Sequence, residues 1–301
     1  MTPETTHIPV LLHESIEALA IVPQGVYVDG TLGGAGHAEE IVQRLGKSGI
    51  FIGCDVDIEA INRAQDRLKK YPCTKHLVHD NFKNLPHILD QLGIDKVSGI
   101  LLDLGWSSFQ IADASRGLSF TNDGPLDMNL SKGGTGERLT AYEIVNFWEE
   151  STLADIFYGY GDEVKARVIA RYLVAERKGR EIKTTHQLAD MVCAALHRDP
   201  RKSKIHPATK VFQALRIAVN DEFQTIEQGI DHAISSLQSG GRLAIITFHS
   251  GEDRIVKTMF KKFADAGDVT LVVKKPLAPT PAEIRANPRS RSAKLRIIQK
   301  N

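Results

Sequence analysis

Short apolar runs alternate with helical stretches through the first third of the 301-residue chain. A helical pattern over Ile58–Lys69 lies between two of these runs. Continuous short apolar runs separated by helices are typical of buried parallel strands in βαβ units. We therefore predict a doubly wound α/β sheet. Its first four strands are expected at Val26–Val28, Ile50–Cys54, His76–His79 and Ile100–Leu104.

The pattern changes after Gly105. From about residue 109 to residue 206, no apolar run is convincing as a buried strand, and helical patterns with start signals follow one another. Start signals of this kind are a cap residue before an apolar-periodic stretch, or a capping box. They are expected at Ser151, at Asp162 and at the pair Thr184 and Gln187.

Strand patterns return in the last third of the chain. Pro207 fits the first turn of a long helix that runs towards Leu237. A further helix is expected at Ile255–Phe263, and strands are expected at Leu243–Phe248, at Val269–Val273 and, at the sheet edge, at Leu295–Ile298. We therefore predict a sheet domain, residues 1–108 and 207–301, interrupted by a helical insertion over residues 109–206.

Composition excludes several classes of protein. With 42% hydrophobic and 25% charged residues, the chain is unlike disordered, collagenous or disulfide-scaffold proteins. No run approaches the roughly 18 apolar residues of a membrane span, and the amino terminus lacks the features of a signal peptide. Three separated cysteines without CxxC, and histidines without paired spacing, predict no metal, no disulfide framework and a cytoplasmic location.

Positive charge is concentrated in two stretches, although the net charge of the whole chain is +1. Arg177–Arg216 contains ten Lys/Arg and three Asp/Glu, and Lys274–Asn301 contains eight against one. Two basic stretches on an otherwise acidic chain indicate a polyanionic partner. The alternative is a solvated helix face and a loose tail.

A glycine-rich loop, Asp29–His37, follows the first predicted strand. Glycines let the backbone turn sharply and approach a ligand, and the next helix presents free N–H groups. Asp55 closes the second strand, where a carboxylate can accept hydrogen bonds from ribose hydroxyls. The two features predict a nucleoside-bearing cofactor. The alternative is a structural turn followed by an ordinary strand-end Asp.

The loop does not fit the dinucleotide pattern GxGxxG, because Glu39 stands where the third glycine belongs. Asp29 and Glu39 would repel a pyrophosphate, whereas S-adenosylmethionine carries a positive ammonium and a positive sulfonium. The acidic loop therefore favours S-adenosylmethionine. Phe82, which follows the third strand, is expected to pack on the adenine or to be a core residue.

Asp103 ends the fourth strand, at the edge of the sheet where ligands of open α/β folds bind. A carboxylate there is costly unless it is used or paired, so Asp103 is the strongest candidate for a chemical role. Asp103 and Trp106 have the acid-x-x-aromatic spacing of amino-group methyltransferases, without the prolines of that motif. His249 and Ser250, with residues 252–254, form a polar cluster at the fifth strand, or Ser250 caps the next helix.

Motifs spread over nearly the whole chain resemble the MraW/RsmH family of bacterial 16S rRNA cytosine-N4 methyltransferases. Two positions depart from the family pattern. Trp106 replaces a small aliphatic residue, and Gly251 replaces a leucine, which is expected to loosen the start of the following helix. The matching motifs are His7–Leu12, Asp29–His37, Leu101–Ser108, Arg116–Phe120, Asp123–Met128, His206–Thr209, Phe248–Ser250 and Asn287–Ser292.

The resemblance implies a Rossmann-like, S-adenosylmethionine-dependent methyltransferase sheet with an inserted helical domain that recognises the substrate. The reaction it implies is methylation of the exocyclic N4 of a cytidine at the decoding centre of 16S rRNA. The substrate would be the rRNA within the small ribosomal subunit or a late assembly particle, without a membrane, and a homodimer is left open. Contacts to S-adenosyl-L-methionine are implied at Ala35, Gly36, His37, Asp55, Phe82, Asp103 and Gln110.

On this interpretation Asp103 is the catalytic residue, which orients the N4 lone pair and stabilises the positive charge that develops on N4. The base must leave its stack, and the Asp123–Met128 loop closes over it or merely connects two elements. Two alternatives remain, namely methylation of another base or a protein, and a non-enzymatic rRNA assembly factor that retained the cofactor site. Phosphates are expected to contact Arg198, Arg201, Lys202 and Lys204, and in the tail Arg285, Arg289, Arg291 and Lys294.

Overall fold

The computed structural model describes residues 8–132 and 138–301. His7, the first residue of the amino-terminal motif, lies outside these ranges. The described chain divides into a sheet unit, made of the residues up to Ser107 together with Phe223–Asn301, and a helical unit, Ser108–Glu222. No helix in the described ranges is long and apolar enough to cross a membrane.

The sheet unit contains one sheet. Its strands, in chain order, are β1 Val26–Asp29, β2 Ile50–Asp55, β3 Thr74–His79, β4 Val97–Asp103, β5 Leu237–Thr247, β6 Val269–Leu271 and β7 Lys294–Lys300. They lie in the order β3-β2-β1-β4-β5-β7-β6. The first five strands are parallel to one another, and β7 is antiparallel to both β5 and β6. The predicted α/β sheet is confirmed, and the carboxyl ends of its parallel strands share one edge.

The α-helices have the following bounds in chain order: α1 Leu12–Leu19, α2 Gly36–Arg44, α3 Ile58–Leu68, α4 Leu85–Leu92, α5 Ser108–Ala112, α6 Ala141–Phe147, α7 Glu150–Gly159, α8 Ala166–Glu176, α9 Thr185–Leu196, α10 Thr209–Asn220, α11 Glu222–Ser236, α12 Ser250–Asp265 and α13 Pro281–Ala286.

Helices cover both faces of the sheet, because alternate strand residues point to opposite sides. Tyr27 and Phe51 are fully buried on one face, in a core shared with α1, α2 and α3. Val28 and Ile52 are buried on the other face, in a core shared with α4, α11 and α12. Burial on both faces explains why the central strands are continuous apolar runs.

The strands of the last third differ from the prediction. β5 begins at Leu237 rather than at residue 243, because its first part pairs irregularly with β4 across a register shift. β6 ends at Leu271 rather than at residue 273. β7 was expected at the sheet edge, and that prediction was wrong, since β7 lies between β5 and β6. Leu295 and Ile298 of β7 are fully buried on opposite faces, as an interior strand requires.

The helical unit ends at Glu222, beyond the predicted boundary at residue 206. The reason is α10, whose apolar side is buried in the core of the helical unit. The long helix expected over residues 207–237 is two helices, α10 and α11. Asp221 separates them in a left-handed conformation with φ 48°.

Local helix signals were correct in one case. The capping box is confirmed, since the N–H of Gln187 donates to Oγ1 of Thr184 at 3.4 Å and the N–H of Thr184 donates to Oε1 of Gln187 at 3.2 Å. The other predicted starts were wrong. Ser151 lies inside the first turn of α7, Asp162 lies in a turn before α8 with φ 50°, and Pro207 precedes α10.

Candidate active site

The loop between β1 and α2 is tightly packed at its second half. Ala35 precedes α2 in a left-handed conformation with φ 57°. A Cβ on Gly36 would lie 2.2 Å from Cγ of Pro9, so this position requires glycine. The predicted contacts Ala35, Gly36 and His37 therefore form the start of α2, where backbone N–H groups have no partners within the helix.

Asp55 closes β2, and its carboxylate is fixed by two backbone groups. Oδ2 accepts a hydrogen bond from the N–H of Gly33 at 2.9 Å, and Oδ1 accepts one from the N–H of Asp57 at 2.9 Å. Burial raises the pKa of Asp55 to about 6, although these hydrogen bonds oppose the rise. A carboxylate has about four acceptor positions, so those not used by the backbone are left for a ligand.

Asp103 ends β4 and is joined to the glycine-rich loop, since its N–H donates to Oγ1 of Thr31 at 2.6 Å. Its Oδ2 lies 3.7 Å from Nδ1 of His37. The other ring nitrogen of His37, Nε2, donates to the carbonyl of Val10 at 3.0 Å. Oδ1 of Asp103 is buried and has no hydrogen-bond partner in the described part of the chain. A buried acceptor without a hydrogen bond lowers the stability of the folded protein by about 1–3 kcal/mol, so this atom is a strong indication of a ligand.

Four carboxyl groups lie close together at this edge of the sheet: Asp29, Asp55 and Asp103 end strands, and Glu252 lies in the first turn of α12. Burial raises the pKa of Asp29 to about 7, and the charge of Asp55 adds to the rise, while hydrogen bonds from Thr31 oppose it. Burial also raises the pKa of Asp103 well above its usual range, and the charges of Asp29 and Glu252 add to that rise. This mutual repulsion favours a positively charged ligand, which would allow the carboxyls to ionise.

The start of α12 is capped by His249, so the expected cap at Ser250 is wrong. Nδ1 of His249 accepts hydrogen bonds from the N–H groups of Gly251 and Glu252, at 3.2 and 3.4 Å. The carboxylate of Glu252 accepts from the N–H groups of Phe248 and His249, at 2.7 and 3.3 Å. This polar cluster therefore fixes the end of β5 and the direction of α12.

Gly251 departs from the pattern of the resembled family, and a neighbouring ring explains why. A Cβ on Gly251 would lie 2.6 Å from Cζ of Phe223. The Phe223 ring thus fills space that a side chain at position 251 would need. The expected loosening of the helix start is not observed, because the capping box of α12 is complete.

Phe82 lies in the short 3-10 helix after β3, and it is only partly buried. A Cβ on Gly30 would lie 2.9 Å from its Cβ, and a Cβ on Gly229 of α11 would lie 2.2 Å from its ring. Phe82 therefore packs against the core between these two glycines, and its contact with adenine stays a prediction. Trp106, the other departure from the family pattern, is 41% exposed.

Gln110 belongs to the helical unit, where its Nε2 donates to the carbonyl of Leu130 at 3.1 Å. It is thus the one predicted cofactor contact outside the sheet unit, and it stays a prediction. The loop over residues 123–128 is also bound within the helical unit. The N–H of Leu126 donates to the carbonyl of Lys183 at 3.2 Å. Such contacts are typical of a fixed connecting loop.

The predicted phosphate contacts are exposed with few exceptions. The guanidinium of Arg201 binds both carboxylate oxygens of Asp199 at 3.1 Å, and Nζ of Lys294 lies 2.8 Å from Oδ2 of Asp253. These two side chains are less available to a ligand than the others. Exposed side chains are those of Arg198, Lys202 and Lys204 in the helical unit and Arg285, Arg289 and Arg291 in the sheet unit.

Sequence reasoning missed Thr31, which joins the glycine-rich loop to β4. Its hydroxyl accepts from the N–H of Asp103, and its own N–H donates to Oδ1 of Asp29 at 3.1 Å. A hydroxyl residue two positions after a strand-end Asp was the available signal, because such pairs form local turns.

The sequence matches the model of the MraW methylase family over residues 4–301. It is similar to the ribosomal RNA small subunit methyltransferase H of Clostridioides difficile strain 630, with 44% identity over 315 aligned residues that cover 99% of each chain. The proteins of the same name from Paenibacillus sp. strain JDR-2 and Symbiobacterium thermophilum are also 44% identical. Their alignments cover 98% of this chain and 99% and 96% of theirs.

Proposed function

Because the chain belongs to the MraW methylase family, we propose that it transfers methyl groups from S-adenosyl-L-methionine to the ribosomal RNA of the small subunit. Curated relatives of nearly the same length, named ribosomal RNA small subunit methyltransferase H, support this substrate. The finer proposal is methylation of the exocyclic N4 of a cytidine at the decoding centre, on the small subunit or a late assembly particle in the cytoplasm. The motif resemblance supports this choice of atom and site.

One observation carries the proposal, namely the buried and unpartnered Oδ1 of Asp103 among four carboxyl groups. A cluster of carboxyl groups that repel one another when ionised suits a ligand with positive charge and N–H donors. S-Adenosylmethionine has both, and when bound it supplies an activated methyl group. A dinucleotide or a nucleoside triphosphate would instead bring its phosphates towards these carboxyls.

The residues have separate proposed roles in holding the methyl donor. The start of α2, at Ala35, Gly36 and His37, offers backbone N–H groups to its methionyl part. Asp55 accepts hydrogen bonds from the ribose hydroxyls. Phe82 contacts the adenine through the side of its ring that is not buried. Gln110 is proposed as a further contact on the strength of the resemblance.

Asp103 has the proposed catalytic role. The N4 amine of cytosine is a poor nucleophile, because its lone pair is conjugated with the ring. The Asp103 carboxylate would accept a hydrogen bond from N4, turn the lone pair towards the methyl group and stabilise the positive charge that develops. N4 gains a methyl group and loses a proton, and the raised pKa of Asp103 makes it a suitable acceptor for that proton.

Mass spectrometry of the small-subunit rRNA from cells with and without the gene tests the proposal. We expect the N4-methyl mark on one cytidine to disappear without the gene, and to return with the wild-type gene but not with Asp103→Asn. A second assay supplies S-adenosylmethionine with a labelled methyl group. If the label appears in a protein or in another base, the N4 assignment is wrong. An unchanged rRNA in cells, together with no transfer to purified subunits or naked 16S rRNA, would favour an assembly factor.

A further inference from the structure

The outer face of α12 carries positive charges that the proposed function does not yet use. Lys257, Lys261 and Lys262 are exposed there, and we call these three side chains the lysine face. Residues three and four apart on a helix are neighbours, so Lys257 and Lys261 lie on one side of α12. A shallow depression of about 440 Å³ is lined by Lys257, Thr258, Lys261, Lys262 and Asp265.

The lysine face is not neutralised by ion pairs within the described chain. None of its three lysines forms an ion pair with a described residue, although Asp265 lies one turn from Lys261. Like charges four residues apart destabilise a helix by about 0.2–0.5 kcal/mol. A helix that carries such a pair without a partner is well suited to an anionic ligand that removes the repulsion.

The surroundings of α12 do not offset this charge. From the start of α12 to the end of the chain, residues 250–301 contain twelve Lys/Arg and five Asp/Glu. The acidic residues in the first turn of α12 are buried, and Asp253 is held by Nζ of Lys294 at 2.8 Å and by Nε of Arg296 at 2.7 Å. The exposed charges near the start of α12 are therefore those of the lysines and not those of its acidic residues.

The lysine face is placed within reach of the site at the strand ends. α12 begins at Ser250, directly after β5 and beside the carboxyl cluster. At about 1.5 Å per residue, Lys257 lies roughly 10 Å along the helix from this start, and Lys261 lies roughly 6 Å further. A polymer with one unit in the site can therefore contact the lysines through its neighbouring units.

We propose that the lysine face binds the phosphate backbone of the substrate RNA close to the target nucleotide. The inference rests on the proposed rRNA methyltransferase function and adds a contact surface to it. Lysine ammonium groups bind phosphate as point charges and do not read the base sequence. The lysine face thus holds the RNA in register while other contacts select the base.

The test compares two double variants that lose the same charge. Lys257→Gln/Lys261→Gln changes the lysine face, and Lys47→Gln/Lys69→Gln changes two exposed lysines elsewhere in the sheet unit. The affinity for an RNA containing the target cytidine is measured as a function of salt concentration. Each lost phosphate contact to a single strand should reduce the salt slope by about 0.7, so the slope of the first variant should fall by about 1.4. That variant should then bind roughly 25-fold more weakly at 0.1 M salt.

The control variant should keep the wild-type salt slope. A third variant, Lys257→Arg/Lys261→Arg, keeps both charges of the lysine face and should also have the wild-type slope. All variants should bind S-adenosylmethionine as the wild type does, which shows that the sheet unit is folded. Equal slopes for the two double variants would overturn the inference. If the wild type methylates no rRNA at all, the proposed function fails instead, so the two failures are distinguishable.

Discussion

Lowering the pH should weaken the binding of S-adenosylmethionine, because the carboxyl cluster then holds protons. Burial raises the pKa of Asp55 to about 6 and that of Asp29 to about 7, and the pKa of Asp103 is raised as well. The ligand-free protein therefore binds protons on these groups in a range where ordinary carboxyls are ionised. A cation that requires the ionised form must release those protons, so its affinity rises with pH.

The pKa values of Asp55 and Asp29 set the expected size of the effect. If binding requires ionised Asp55, the apparent affinity should fall about twofold at pH 6 and about tenfold at pH 5, relative to pH 8. If Asp29 must ionise as well, its pKa adds a further factor of about ten at pH 6 and about a hundred at pH 5. The measured factor thus indicates how many carboxyls face the bound cation.

Isothermal titration calorimetry measures both the affinity for S-adenosylmethionine and the number of protons released on binding. Titrations at pH 5, 6, 7 and 8 give the affinity, and pairs of buffers with different ionisation enthalpies give the number of protons released. Asp55→Asn should remove the step near pH 6 and weaken binding at pH 8. Asp95→Asn, an exposed carboxyl after α4, is the control and should keep the wild-type profile.

One result would contradict this prediction: an affinity that does not change with pH and no release of protons, in protein that stays folded at pH 5. It would mean that the carboxyls are already ionised in the ligand-free protein. The repulsion between Asp29, Asp55 and Asp103 could then no longer explain why the site prefers a cation.

Three further perturbations test single groups. Asp103→Asn should lower the single-turnover rate of methyl transfer by roughly a hundredfold at saturating donor. The affinity for S-adenosylmethionine should change less. A near-normal rate with poor affinity would instead make Asp103 a binding residue. The ligand-free protein should lose about 3 kcal/mol of stability from pH 4 to pH 7 through Asp29, because the folded state keeps a proton on this group that the unfolded state releases. Denaturant unfolding of Asp29→Asn should lack that pH dependence. Gly229→Ala should displace the Phe82 ring, whose Cε2 would lie 2.2 Å from the new Cβ. If Phe82 contacts the adenine, calorimetry should then show weaker binding of adenosine-containing ligands.

The sequence predicted the centre of the sheet better than its margin. The strands β1, β2 and β4 are buried on both faces, so their apolar runs are continuous and stand out from the helices. The position of β7 between β5 and β6 is not encoded in its own pattern, since an antiparallel strand inserted between two neighbours depends on how distant segments pair. For the same reason the helical unit was predicted too short, because the apolar side of α10 gives no sign of which core it joins.

The strand-end rule predicted that Asp55 and Asp103 lie at one edge of the sheet, and their roles as site residues stay predictions. Asp55 and Asp103 follow buried strands, and parallel strands bring their carboxyl ends to one edge. Contacts that join distant residues were not predictable in this way. The ring of Phe223 against Gly251 and the hydroxyl of Thr31 under Asp103 depend on tertiary packing. The helix starts expected at Ser151 and Asp162 were wrong, because Ser151 lies inside α7 and Asp162 lies in a turn before α8.

The carboxyl cluster has a stability cost that a purely structural role does not explain. Each buried group with a raised pKa destabilises the folded chain above its ordinary pKa, and the unpartnered Oδ1 of Asp103 adds the cost of a missing hydrogen bond. Nearby residues would relieve that cost if one of them presented a donor to Oδ1, and in the described chain none does. A cationic ligand with N–H donors satisfies both the charge and the hydrogen bond. The same cluster would bind the product less favourably, since the product keeps the ammonium but has lost the sulfonium charge, and part of the repulsion between the carboxyls returns. The arrangement that destabilises the ligand-free protein is therefore the one that would distinguish a charged methyl donor from its spent form.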